Sequence, residues 1–142
     1  MLKRLAFVSV AAAATLFGSA PFAAEGYVPQ RTILQQSDVP GSNYTVVMAV
    51  TEIAANMTAA RHTHPGSEVA YMLAGEAEFN IEGQVKKVKA GESFRLEPGV
   101  KHSVKNGPMT TRILAIYTIP KGAALATPAP EWASTCPRAP TL

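Results

Sequence analysis

From residue 31 to residue 119 the chain never sustains the 3.6-residue apolar period of an amphipathic helix. Short β-branched and aromatic runs dominate instead, broken at close intervals by glycine, proline and asparagine. Parallel strands need crossovers of about a dozen or more residues, usually helical, and no run here supplies one. The strands must therefore pair antiparallel, in a sandwich or small barrel. The pattern predicts eight of them, at 31–35, 44–53, 69–73, 76–81, 84–89, 93–96, 102–105 and 111–119. Ala77, Phe79 and Ile81 alternate with Glu76, Glu78, Asn80 and Glu82, the period of a half-buried strand. Glu82-Gly83-Gln84 predicts a tight turn into the strand that follows.

The two ends read differently. Met1-Leu2-Lys3-Arg4 is basic, residues 5–17 are apolar and alanine-rich, and Gly18-Ser19-Ala20-Pro21-Phe22-Ala23-Ala24 offers small residues for cleavage. That order predicts a signal peptide over residues 1–24, cut after Ala23 or Ala24, and a periplasmic or secreted product whose intact mass would report the cut. The alternative is an N-terminal anchor helix, for which the apolar run is short. Residues 25–142 then form one domain, with a core at about 31–119 and a proline-rich tail at 120–142. Pro120, Pro128, Pro130, Pro137 and Pro140 keep that tail out of a sheet interior and predict that it wraps the barrel or a partner, with Trp132 as an anchor. Cys136, the only cysteine, has no internal partner, so it is either free or bridged to another chain.

Charge excludes one class of function. Lys3 and Arg4 belong to the leader, so of 13 basic residues 11 remain against 10 acidic ones. Lys86, Lys87 and Lys89 form the one local basic cluster, and no aromatic residue interleaves it. A solvated strand edge accounts for it, and nucleic acid is not an expected partner. Nor is a membrane, once the leader is removed.

The chain has three histidines, and all fall at ligand spacings. His62 and His64, two apart, share a face of an extended segment. Pro65-Gly66-Ser67 turns the chain and Glu68 follows, while His102 begins a distant strand after Pro98-Gly99-Val100-Lys101. Three imidazoles and a carboxylate suit one divalent ion of the Fe, Mn, Ni, Zn or Cu type, with coordination positions left open for a small molecule. By parity with these residues, Ala70, Met72, Phe94 and Leu96 are candidate pocket walls, and Tyr71 and Tyr117 candidate hydrogen-bond donors to a ligand.

These residues also carry a resemblance. His62-x-His64-x3-Glu68-x6-Gly75, with Asn56 where the pattern opens on glycine, is similar to the first motif of the cupins. Asparagine tolerates the left-handed backbone best after glycine, so this departure is mild. Gly91, Gly99, His102 and Asn106 are in register with the second motif, whose proline is displaced by one to Pro98. The resemblance implies an antiparallel jelly-roll β-barrel, one metal on His62, His64, Glu68 and His102, and frequent dimerisation. It implies metal-dependent chemistry on a small oxygen-bearing organic molecule. Glu68 weighs against thiol dioxygenases, and no second acid is placed beside the metal by the sequence, so the expectation is a dioxygenase-type oxidoreductase, with decarboxylase, lyase and isomerase chemistry left open by the resemblance. The alternative is a non-catalytic binder of a metal or small ligand. Segment 44–53, apolar on both parities, predicts a strand covered on both faces, by a second copy or by the tail.

Overall fold

The computed structural model describes residues 27–129. The expected signal peptide, Trp132 and Cys136 lie outside the described residues. Ten strands follow in order: β1 Gln30–Asp38, β2 Tyr44–Ile53, β3 Thr58–Thr63, β4 Ser67–Ala74, β5 Glu76–Ile81, β6 Gln84–Lys89, β7 Ser93–Leu96, β8 His102–Asn106, β9 Thr111–Pro120 and β10 Thr127–Pro128. Among the described residues there is no helix, and so none long and apolar enough to cross a membrane. Every pairing is antiparallel, in two five-stranded sheets ordered β1-β2-β9-β4-β7 and β10-β3-β8-β5-β6. The sheets enclose one core, as the all-β jelly-roll reading expects.

The two-residue period of the pleat decides what each strand contributes. Along β9, Thr111, Ile113, Ala115, Tyr117 and Ile119 are buried and the residues between them are not. Val47, Ala49 and Ile53 of β2 and Ala70 and Met72 of β4 enter from the same sheet. Phe79, Val88 and Val104 enter from the opposite one, and Phe79 meets Phe94 of β7 with ring centroids 4.5 Å apart. The side of β2 that points outward is only half-buried, so the strand is fully covered on one face. Lys86, Lys87 and Lys89 are exposed on β6, at the outer edge of its sheet. Glu82 and Gly83, both at positive φ, close the β5–β6 hairpin in two residues, with the Asn80 side-chain oxygen accepting the Gly83 N–H.

Two strands were not expected. Thr58-Ala59-Ala60-Arg61-His62-Thr63 has two alanines and no large apolar residue, so local preference does not mark it as a strand. Pairing with β8 makes it one, through a register shift between Ala59 and His62. In the tail, Thr127 and Pro128 pair with Thr63 and His62, and Ala129 N–H donates to the Arg61 carbonyl. The tail thus joins the edge of the β3 sheet, where proline is tolerated, and its described part does not cover β2.

Two motif residues are explained by backbone demands. Asn56 sits at φ 60°, in the conformation its place in the motif requires. Asn106 is buried and its amide nitrogen donates to the carbonyls of Ile53, Ala54 and Met109, at 2.8, 2.9 and 2.8 Å. It ties the end of β8 to the end of β2. Asn106→Ala should cost about 2–3 kcal/mol in urea unfolding, because it strips donors from buried carbonyls. A loss below about 0.5 kcal/mol, the range of a neutral surface change, would refute the structural role.

Candidate metal centre

His62 and His102 face each other across β3 and β8 as direct register partners, with ring centroids 4.2 Å apart. His64 lies just past β3, its ring 4.9 Å from that of His62 and 5.1 Å from that of His102. One ring nitrogen from each of the three falls within 4.8 Å of the others. Glu68 comes from β4 in the opposite sheet, where it is the register partner of Tyr117. Its Oε2 is 3.1 Å from His64 Nε2. Two sheets and the bend between β3 and β4 therefore meet at one point.

The bend is possible because residue 66 has no side chain. A Cβ there would run into the backbone carbonyl of Thr118 on β9. Gly66 lets the chain turn against that strand and brings His64 and Glu68 onto the same cavity.

The hydrogen bonds fix how the rings can act. His62 Nδ1 is 2.7 Å from the Ala60 carbonyl, His64 Nδ1 2.6 Å from that of Leu125, and His102 Nδ1 3.1 Å from that of Val100. A carbonyl only accepts, so each Nδ1 carries the proton and donates it. A neutral ring so held keeps its lone pair on Nε2, the atom that would coordinate, and His64 Nε2 faces the Glu68 carboxylate. Backbone groups that orient imidazoles in this way are typical supports of metal-ligating histidines. The support of His64 comes from the tail, sixty-one positions away along the chain.

Burial acts in the same direction. It pushes the His102 pKa down to about 4, with the neighbouring His62 adding to the shift and the Val100 carbonyl opposing it. His62 is also lowered, first by burial. Neutral imidazoles are the form a metal requires. The Tyr117 hydroxyl is shifted upward by burial, reinforced by the Glu68 charge, so it keeps its proton and remains a donor. Its ring packs 4.8 Å from that of His64.

A cavity of about 40 Å³ opens onto this group. It has room for two or three water-sized groups, at roughly 10–15 Å³ each. Ile53, Phe79, Phe94, Val104 and Ile113 supply its apolar wall, and Arg31, Thr51 and Tyr117 its polar groups besides the three histidines and Glu68. Of the four expected wall residues only Phe94 lines it. Ala70, Met72 and Leu96 are packed in the core instead. Tyr71 is 45 % exposed on the outer face of β4, because odd positions of that strand point away from Glu68. It is no donor to this site, whereas Tyr117 lines it. Arg31 and Phe79 were missed, since both belong to strands whose place around the histidines only the topology sets. Larger hollows of about 350 and 400 Å³ lie elsewhere on the surface and contain none of the histidines.

The shifted His102 gives a signed pH dependence. Between its ordinary value of 6.5 and about 4 the unfolded chain binds more protons than the folded one. Stability of the metal-free protein therefore falls on acidification through that window and gains nothing from this group above it. The thermal midpoint of the metal-free protein should drop across this range more steeply than that of His102→Gln. Parallel curves would contradict the assignment.

Comparison with known proteins places the chain. The cupin domain model matches residues 49–117. A Klebsiella pneumoniae protein described as having a double-stranded β-helix domain shares 29% identity over 70% of this chain and 84% of its own, with a TM-score of 0.55. A cupin superfamily protein from Desulfitobacterium hafniense shares 18% over 65% and 78%, at TM-score 0.55. The DMSP lyase DddQ from Ruegeria pomeroyi shares 21% over 70% of this chain but 51% of its own length, at TM-score 0.59, a likeness of fold alone. No curated protein matches the sequence. The matched residues hold β3 to β8 with all three histidines and Glu68, and this stretch of the chain is a cupin domain.

Proposed function

We propose that this cupin is a metal-dependent enzyme acting on a small oxygen-bearing molecule, with His62, His64, Glu68 and His102 holding one divalent ion. The observation that carries the reading is the convergence of three imidazoles whose Nδ1 atoms are all committed to backbone carbonyls. Three neutral nitrogens and a carboxylate leave a dication with net positive charge, which suits Fe, Mn, Ni, Zn or Cu. When bound, such an ion supplies Lewis acidity and, for the redox-active members, one-electron chemistry. The chain's own residues do the rest. The apolar wall excludes bulk water, and the protonated Tyr117 hydroxyl donates to the Glu68 carboxylate and holds it in place.

The lining supports dioxygenase-type chemistry over an acid-assisted decarboxylation. Glu68 is the one carboxylate in it, and the other candidates are engaged elsewhere: Glu52 with Arg112, Glu76 with Lys87 and Glu97 with Arg95. Glu78 is exposed. The small cavity favours a second reading, a non-catalytic binder of a metal or small ligand. Purified protein should hold about one metal per chain, with nitrogen distances of ~2.0–2.2 Å. His102→Ala should lose most of that metal while its β-rich circular dichroism is unchanged. Full metal content in the variant would sink the assignment. Iron, manganese or nickel together with oxygen uptake on a small hydroxy or oxo compound supports the enzyme; zinc alone, without turnover, supports the binder.

We also propose a homodimer. The register of β2, β9 and β4 aligns Met48, Ile116 and Val69 in one row and Val50, Leu114 and Tyr71 in the next, all on the outer face. Val69 is 50 % and Tyr71 45 % exposed. Contiguous apolar sheet surface of this kind marks an interface. Light scattering should give twice the mass of one chain, and Ile116→Asp should halve it. A single-chain mass for the unaltered protein would exclude the dimer.

A further inference from the structure

β1 contributes little to the core, since eight of its nine residues are exposed. The exception is Arg31, whose side chain reaches the cavity shared by His62, His64, Glu68 and His102. Its Nε donates to Thr51 Oγ1 at 3.3 Å, and its guanidinium carbon lies 5.8 Å from the centre of the Tyr117 ring. That is within cation–π reach, so the group is held from two sides. Its positive charge is felt by both His62 and Tyr117. Among the described residues no carboxylate comes within ion-pair distance of it, although exposed arginines of the same chain, Arg95 and Arg112, each have one.

A half-buried guanidinium without an anionic partner, beside a centre that gains positive charge on binding a divalent ion, leaves the cavity short of negative charge. We propose that Arg31 is the carboxylate anchor of this site, and that its ligand is a two- or three-carbon 2-hydroxy or 2-oxo acid. The inference rests on the metal reading above for the ligand's second oxygen, and on the geometry of Arg31 for its carboxylate. The planar fork of arginine matches a carboxylate with two parallel hydrogen bonds. The cavity of about 40 Å³ takes two or three water-sized groups, enough for the carboxylate and one further oxygen of such an acid, and limits how much carbon can follow them. The wall of Phe79, Phe94 and Ile113 favours an organic acid over an inorganic oxyanion, which has no apolar part to bury.

Calorimetric titration of lactate, pyruvate, neutral lactamide and inorganic phosphate into zinc-loaded protein tests this, since zinc is redox-inert and binding is read without turnover. Lactate or pyruvate should bind about tenfold or more tightly than lactamide, and Arg31→Gln should remove that preference while its metal content stays that of the unaltered protein. Arg31→Lys should restore part of it. Equal binding of lactate and lactamide to the unaltered protein overturns the proposal even where the variants fail to fold. So does tighter binding of phosphate than of either acid, or an Arg31→Gln variant that keeps the preference. Failure of the metal reading shows separately, as unaltered protein that retains no zinc. The titration of metal-free protein then still decides Arg31, by the same lactate-to-lactamide ratio.

Discussion

The three bonds from imidazole Nδ1 to backbone carbonyl are what the arrangement at the centre of this protein depends on. A buried imidazole must place its one N–H on an acceptor, and the acceptor chosen decides which nitrogen faces the cavity. Ala60 and Val100 are each two residues from the ring they hold, so those two bonds come with the local strand and turn. The third is remote. Leu125 reaches His64 because the chain after β9 turns back and pairs with β3, and a segment that looks peripheral in sequence thereby becomes a support of the site.

Electrostatics and packing reinforce this geometry. An apolar wall and a small cavity disfavour imidazolium, and the lowered pKa of His102 expresses that cost. The same burial keeps Tyr117 protonated. One nitrogen of each of the three rings and the Glu68 carboxylate then face one small volume, an arrangement suited to a cation. Arg31 reaches the same cavity from the edge strand β1, so the lining draws on β1 to β5 and β7 to β9, while the tail holds His64 through the Leu125 carbonyl.

The outer surfaces follow a different logic. β6 presents lysines at its open edge, which discourages further strand addition. The outer face of β2, β9 and β4 carries apolar side chains in continuous cross-strand rows. A single barrel cannot bury both sides of that sheet, because the core occupies one of them. It is on this face that the proposed homodimer would form.

Much of this was legible in the sequence. The two-residue alternation in 76–81, the turn at Glu82-Gly83 and the lack of any helical run are local signals, and each gives the antiparallel β class without reference to the rest of the chain. The spacing of His62 and His64 is also local enough to give a shared face, and the motif resemblance joined Glu68 and the distant His102 to them. Tertiary structure decided the remainder. β3 is a strand only because β8 pairs with it, since alanines and a histidine carry no such preference alone. Phe79 and Arg31 line the cavity because two sheets close over it, and Tyr71 is excluded because the pleat turns it outward. Strand parity says which residues share a face. Which faces meet across a barrel depends on long-range pairing, and that is a property of the whole fold.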